Sequence, residues 1–147
     1  MSWPLKIFHA TDFSPASRPA FARALQLGKQ PRTKLFVLHV RMPPSPFLGN
    51  RLPSSYLELE ARAEHDATRL MARMVTKARK AGVKNVVSKV VTGAPAEQII
   101  RRARRWPADL IVMGTHGRSG LGRAFMGSVA ERVLQRAACP VLTVRRR

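Results

Sequence analysis

The chain has 147 residues, 45% of them apolar and 24% charged, the balance of a globular protein able to bury a core rather than of a disordered chain. Its 27 Lys and Arg against 8 Asp and Glu give a formal charge of +19, a field that attracts polyanions. No apolar run approaches the roughly 20 residues of a membrane span, the N-terminus shows no signal-peptide pattern, and the lone Cys139 cannot close an internal disulfide. A single cytoplasmic domain over residues 1–147, with no membrane contact, is the expectation.

Apolar runs alternate with helical patterns. Leu5–Ala10 reads as a strand, followed by a turn in which Ser14 is expected to cap a helix that starts at Pro15. Phe21, Ala24, Leu25 and Gly28 recur at helical spacing, and Lys34–Val40 reads as the second strand. A stretch rich in proline (Pro43, Pro44, Pro46, Pro53) separates it from a long helix predicted over Ser55–Ala81. The expected core face of that helix is Ala63, Ala67, Leu70/Met71, Met74/Val75 and Ala78, with Gly82 as its C-terminal cap. "VKNVVSKVVTG" is the third strand and "APAEQIIRRARRWP" a short helix with Ile99, Ile100 and Ala103 inward. Ala108–Gly114 is an apolar fourth strand. Val129/Ala130, Val133/Leu134 and Ala137 mark a last helix, and "PVLTVRRR" closes the chain as a fifth strand. This alternation predicts an α/β fold, one doubly wound domain with a five-stranded parallel sheet and helices on both faces, and the strand order is expected to be 3-2-1-4-5.

Between the fourth strand and the last helix lies "GTHGRSGLGRAFMGS", with five glycines in fifteen residues. It is not a P-loop, because no lysine occurs between Gly114 and the C-terminus. Nor is there a dinucleotide fingerprint, since the first turn, "TDFSPAS", holds no glycine and the second strand ends His39-Val40-Arg41 without an acid. A doubly wound sheet binds ligands beyond the carboxyl ends of its strands where the strand order reverses. Here that crevice falls between strands 1 and 4, whose ends carry Thr11-Asp12 and Met113-Gly114. Glycines at such a place admit an anion close to backbone N–H groups, and the start of the last helix, Gly127-Ser128-Val129, adds unpaired amides.

Gly114-x-x-Gly117, nine residues, then Gly127-Ser128 forms the pattern G-x2-G-x9-G-[ST]. With "ATDFSPAS", "LHV", "DLIVMGTHGRSG", "GSVAERVL" and "CPVLTV" in register, the chain resembles the universal stress protein family along nearly its whole length. The resemblance extends to the subgroup that binds ATP through this signature, and it implies an adenine nucleotide alpha hydrolase-like fold and a homodimer. It places the phosphates against Gly117, Gly127, Ser128 and Val129, the ribose beside Gly114, the nucleoside near Asp12, and the adenine edge at the backbone of Val40. His116 is a possible phosphate donor, weighed against a purely structural place in the loop. Arg118 and Arg123 could close over the phosphates, although exposed arginines are common in this chain.

The expected function is therefore a nucleotide-binding stress sensor or signalling module that takes ATP, with magnesium left open, and turns it over slowly or not at all. The loop supplies glycines and arginines but no acid to hold a metal or a water. Ser128 lacks the neighbouring base and the G-x-S-x-G elbow of a nucleophile, so no catalytic residue is assigned. No spacing of His9, His39 and His65 suggests a metal site. The expected partners are a second copy of the chain, through the C-terminal strand, and a downstream protein. Nucleic acid is not expected, because no recognition motif or interleaved aromatics accompany the charge. The alternative is a basic polyanion- or partner-binding protein with an unoccupied cleft.

Overall fold

The five apolar runs become the five strands of one parallel sheet in the computed structural model, which describes residues 5–43, 53–116 and 126–147. Its elements are β1 (Lys6–Thr11), a 3-10 turn (Pro15–Ser17), α1 (Arg18–Gly28), β2 (Lys34–Arg41), α2 (Ser54–Lys80), β3 (Val86–Thr92), α3 (Pro95–Arg105), β4 (Leu110–Gly114), α4 (Ser128–Arg136) and β5 (Val141–Val144). The strand order is β3-β2-β1-β4-β5, the order expected. In register, Ile7 lies beside Leu35 on one flank and Leu110 on the other.

Period-two alternation divides the core into two layers. Ile7, Leu35, Val37 and Val112 face α1 and α2, packing on Phe21, Leu25, Met71 and Ala78. Phe8, Leu38, Ile111 and Met113 face α3 and α4, packing on Ile99, Ile100, Ala130 and Val133. Each fully buried Ile, Leu or Phe contributes roughly 1.5–3 kcal/mol. Phe8 also stacks on Phe36 with centroids 5.1 Å apart, and Trp106 covers Phe36 at 5.4 Å.

The helix ends show where local chemistry was read correctly and where it was not. Gly82 ends α2 with φ +99°, its N–H on the Arg79 carbonyl and the Val83 N–H on that of Ala78, the paired bonds of a Schellman motif. Ser14, in contrast, makes no side-chain cap, and α1 begins only after the 3-10 turn. The Ser14 backbone N–H instead donates to Asp12 Oδ1 at 2.9 Å, and that of Phe13 to Thr11 Oγ1 at 3.0 Å. The turn that the hydroxyl was expected to start is thus organised by the two residues before it. Two apolar assignments also change: Ala63 lies on an exposed stretch of α2, and Leu134 is 41% exposed on α4. The fifth strand stops at Val144, leaving Arg145 to Arg147 outside it. No helix among the described residues is long and apolar enough to cross a membrane.

Candidate ligand crevice

At the carboxyl ends of β1 and β4, on either side of the point where strand order reverses, a cavity of about 740 Å³ opens. Thr11, Asp12, Val40, Met113, Gly114, His116, Gly127, Ser128 and Val129 all line it. Residues far apart in sequence thus meet at one place because parallel strands end together. Gly117 and Arg118, with Arg123, lie outside the described residues.

One wall is the N-terminus of α4. Gly127 sits at its N-cap with φ −62° and ψ 150°, a backbone open to any residue, so positive φ is not the reason for this glycine. Its N–H donates to the Thr115 carbonyl at 2.6 Å, which fastens the start of α4 to the end of β4 and removes that amide from ligand contact. The amides of Ser128, Val129 and Ala130 follow as the first of the helix, without partners inside it and at the positive end of its dipole. These three residues line the cavity.

Gly114 serves packing as well as the crevice. A Cβ there would stand 3.2 Å from the Ala16 carbonyl and 3.3 Å from that of His116, tighter than ordinary contact. Its absence lets the 3-10 turn close against β4. On the opposite side, Phe13 holds a left-handed φ of 62° and lays its ring on His39 at 4.2 Å, while His39 Nδ1–H donates to the Thr11 carbonyl at 2.8 Å. The β1 turn is therefore fixed from three directions. His116 hydrogen-bonds through Nδ1 to Thr115 Oγ1 at 2.9 Å.

Sequence reasoning missed the third wall, the N-terminal half of α2. Arg41 at the end of β2 donates to Glu60 Oε2 at 2.9 Å and to the Glu60 carbonyl at 3.1 Å, and it reaches Glu64 at 3.8 Å. Arg41, Glu60, Ala63, Asp66 and Leu70 all line the cavity. The i,i+4 pair Glu60/Glu64 on one helix face was a usable sign that a cation faces it. Acids gather at this end of the molecule: Asp12, Glu60, Glu64 and Asp66 about the crevice, and Glu97 and Glu131 in the first turns of α3 and α4. Asp109 stands apart, accepting the Lys6 N–H at 2.7 Å where β1 and β4 begin. Cys139 takes no part in the crevice, and partial burial pushes its thiol up from the usual range.

A doubly wound sheet with a crevice at its switch point, walled by one helix N-terminus, defines the class of nucleotide-fold α/β proteins. Within that class the chain belongs to the universal stress protein family, whose pattern matches residues 5–145. Universal stress protein MJ0531 of Methanocaldococcus jannaschii is 35% identical over 141 residues, 96% of this chain and 82% of that protein. The structure of hypothetical protein MJ0577 superposes with a TM-score of 0.85 at 27% identity, covering 97% of this chain and 96% of its own. A universal stress protein solved in complex with cAMP gives a TM-score of 0.69 at 25% identity, with 96% of each chain covered.

Proposed function

We propose that the crevice binds ATP and that the chain acts as a nucleotide-dependent stress sensor or signalling module with little or no intrinsic turnover. The observation that carries this reading is the start of α4: three successive amides at a helix N-terminus, lining a cavity of nucleotide size that Asp12 and the end of β2 also reach. Phosphates belong at the α4 wall, because Asp12 and Asp66 line the others and the Arg41 cation there is already held by Glu60. The nucleoside then falls between Asp12 and Val40. Gly114 to Ser128 carries the whole glycine signature, and a relative of this fold holds cAMP.

Ser128→Pro tests the reading directly. Proline is favoured at the first position of a helix, and Gly127 already has the extended backbone that must precede it. The variant therefore keeps α4 while deleting one amide and the Ser128 hydroxyl, the second of which Ser128→Ala removes alone as the control. Titration calorimetry should show ATP binding to the intact chain, and binding weaker by roughly 10–100-fold in Ser128→Pro, the loss of one hydrogen bond to a charged group worth about 1.5–3 kcal/mol. Unchanged affinity in a folded variant defeats the amide cradle. Repeating the titration with and without magnesium, and with AMP and cAMP, defines the preferred ligand.

A further inference from the structure

We infer that the second half of α2 binds the phosphate backbone of a double-stranded nucleic acid without reading base sequence. From Ala67 to Ala96 the chain contains no Asp or Glu but seven cations, Arg69, Arg73, Lys77, Arg79, Lys80, Lys84 and Lys89, all of them exposed. With Ala67, Met71 and Ala78 turned into the core, Arg69, Arg73, Lys77 and Lys80 share one outer row of α2. At about 1.5 Å rise per residue the row is roughly 16 Å long. Together with Ala72 and Thr76 these four residues line a shallow groove of their own, away from the crevice. Lys84, exposed just after the Gly82 turn, follows the row, whereas Lys89 stands in register with Leu38 and so lies on the α3 and α4 face of the sheet.

The charge is not used internally. Arg69 approaches Asp66 at 3.6 Å, and among the described residues none of the other six has a carboxylate within pairing distance. Complementing the helix dipole explains cations in the last turn only, here Lys77, Arg79 and Lys80, and not Arg73 before it or Lys84 beyond it. Like charges four residues apart oppose helix formation, so the row is a cost that an external polyanion relieves.

The neighbouring side chains choose among polyanions. Insertion into a lipid surface needs large apolar residues beside the cations, and this groove offers Ala72 and Thr76. Single strands are held by stacking on aromatics, and no Phe, Tyr or Trp occurs from Leu57 to Arg105. A duplex presents one negative charge per roughly 1.7 Å of axis along a regular rod, which a straight row of cations meets without a tailored shape.

The test is fluorescence anisotropy of a mixed-sequence duplex with the intact chain, titrated across about 50–200 mM salt. Five or so phosphate contacts predict binding that weakens with a log–log slope near −4 to −5. Arg73→Glu/Lys77→Glu/Lys80→Glu should weaken binding at least tenfold at low salt and reduce the slope by about 3. The triple Arg101→Glu/Arg104→Glu/Arg105→Glu on α3 changes net charge equally and should leave affinity within about threefold, since α3 lies on the other face of the sheet. Equal losses in both triples would mean that total charge, not this surface, does the binding. No binding at low salt overturns the proposal, as does displacement of the duplex by charge-matched polyglutamate or phosphatidylserine vesicles at equal charge concentration. Should the glutamate triple lose its helical circular dichroism, Arg73→Gln/Lys77→Gln/Lys80→Gln carries the same comparison. ATP affinity stays constant in every variant, which keeps this outcome separate from that of the crevice.

Discussion

His9 sits in β1 with no exposed surface, its Nδ1–H donating to the Val112 carbonyl at 2.9 Å and its ring stacked on Phe21. Burial lowers its pKa from 6.5 to about 4, against smaller opposing effects of that hydrogen bond and of Asp12. Between those two values the unfolded chain binds a proton that the folded chain refuses. Stability is therefore full above about pH 6.5 and falls as the pH drops towards about 4, by roughly 1 kcal/mol per pH unit. His9→Asn keeps an amide donor for Val112 but cannot titrate, so its urea midpoint should change less over this window; parallel wild-type and variant curves would refute the assignment. From sequence His9 reads as a satisfied core or rim residue, and the structure satisfies one ring nitrogen only, since Nε2 has no partner among the described residues. Gly114 was legible as a glycine of the crevice, but its contact with Ala16 was not, because that contact spans about a hundred residues of chain. Gly114→Ala should lower the melting temperature of the nucleotide-free protein by about 2–8 °C, the shift expected for 1–2 kcal/mol in a chain of this size. A melt at the wild-type temperature would show that the close approach of Ala16 carries no stability.

Among the elements, α2 divides into two halves with different duties. The C-terminal half is core, through Met71 and Ala78, and ends in the Gly82 motif that its sequence announced. The N-terminal half buries no side chain before Ala67 and is held to β2 by Arg41. Helical periodicity alone extended the core face to Ala63, because periodicity reports which residues share a face and not what lies opposite. What lies opposite Ala63 is the crevice. Arg41→Ala should therefore speed amide hydrogen exchange over residues 54–66 while residues 67–80 keep their protection. Uniform acceleration along the whole helix would show that the tether stabilises α2 as one unit. Ser14 teaches the same limit at shorter range: a hydroxyl before proline is a sound start signal, yet Asp12 and Thr11 organise this turn.

For the whole molecule, the parallel sheet was legible because five apolar runs alternate with amphipathic ones, whereas the order 3-2-1-4-5 was an expectation that alternation alone does not single out from 2-1-3-4-5. Assembly is encoded less directly. β5 pairs with β4 and turns its other edge outward, with Leu142 39% exposed. An apolar edge of this kind is a template for pairing, and a two-fold mate covers it without leading to further growth. Light scattering at tens of micromolar protein in moderate salt should report a homodimer, and Leu142→Asp or truncation after Pro140 should report a monomer; a monomeric intact chain would dismiss this edge as an interface. The cation row of α2 lines a groove that shares no residue with the crevice, and this separation has one more consequence. A sulfonated bead that grips the chain by this row leaves the mouth of the crevice towards the buffer. Protein captured in this way should still take up labelled ATP from the flow, whereas protein coupled at random through its lysines should lose part of that capacity.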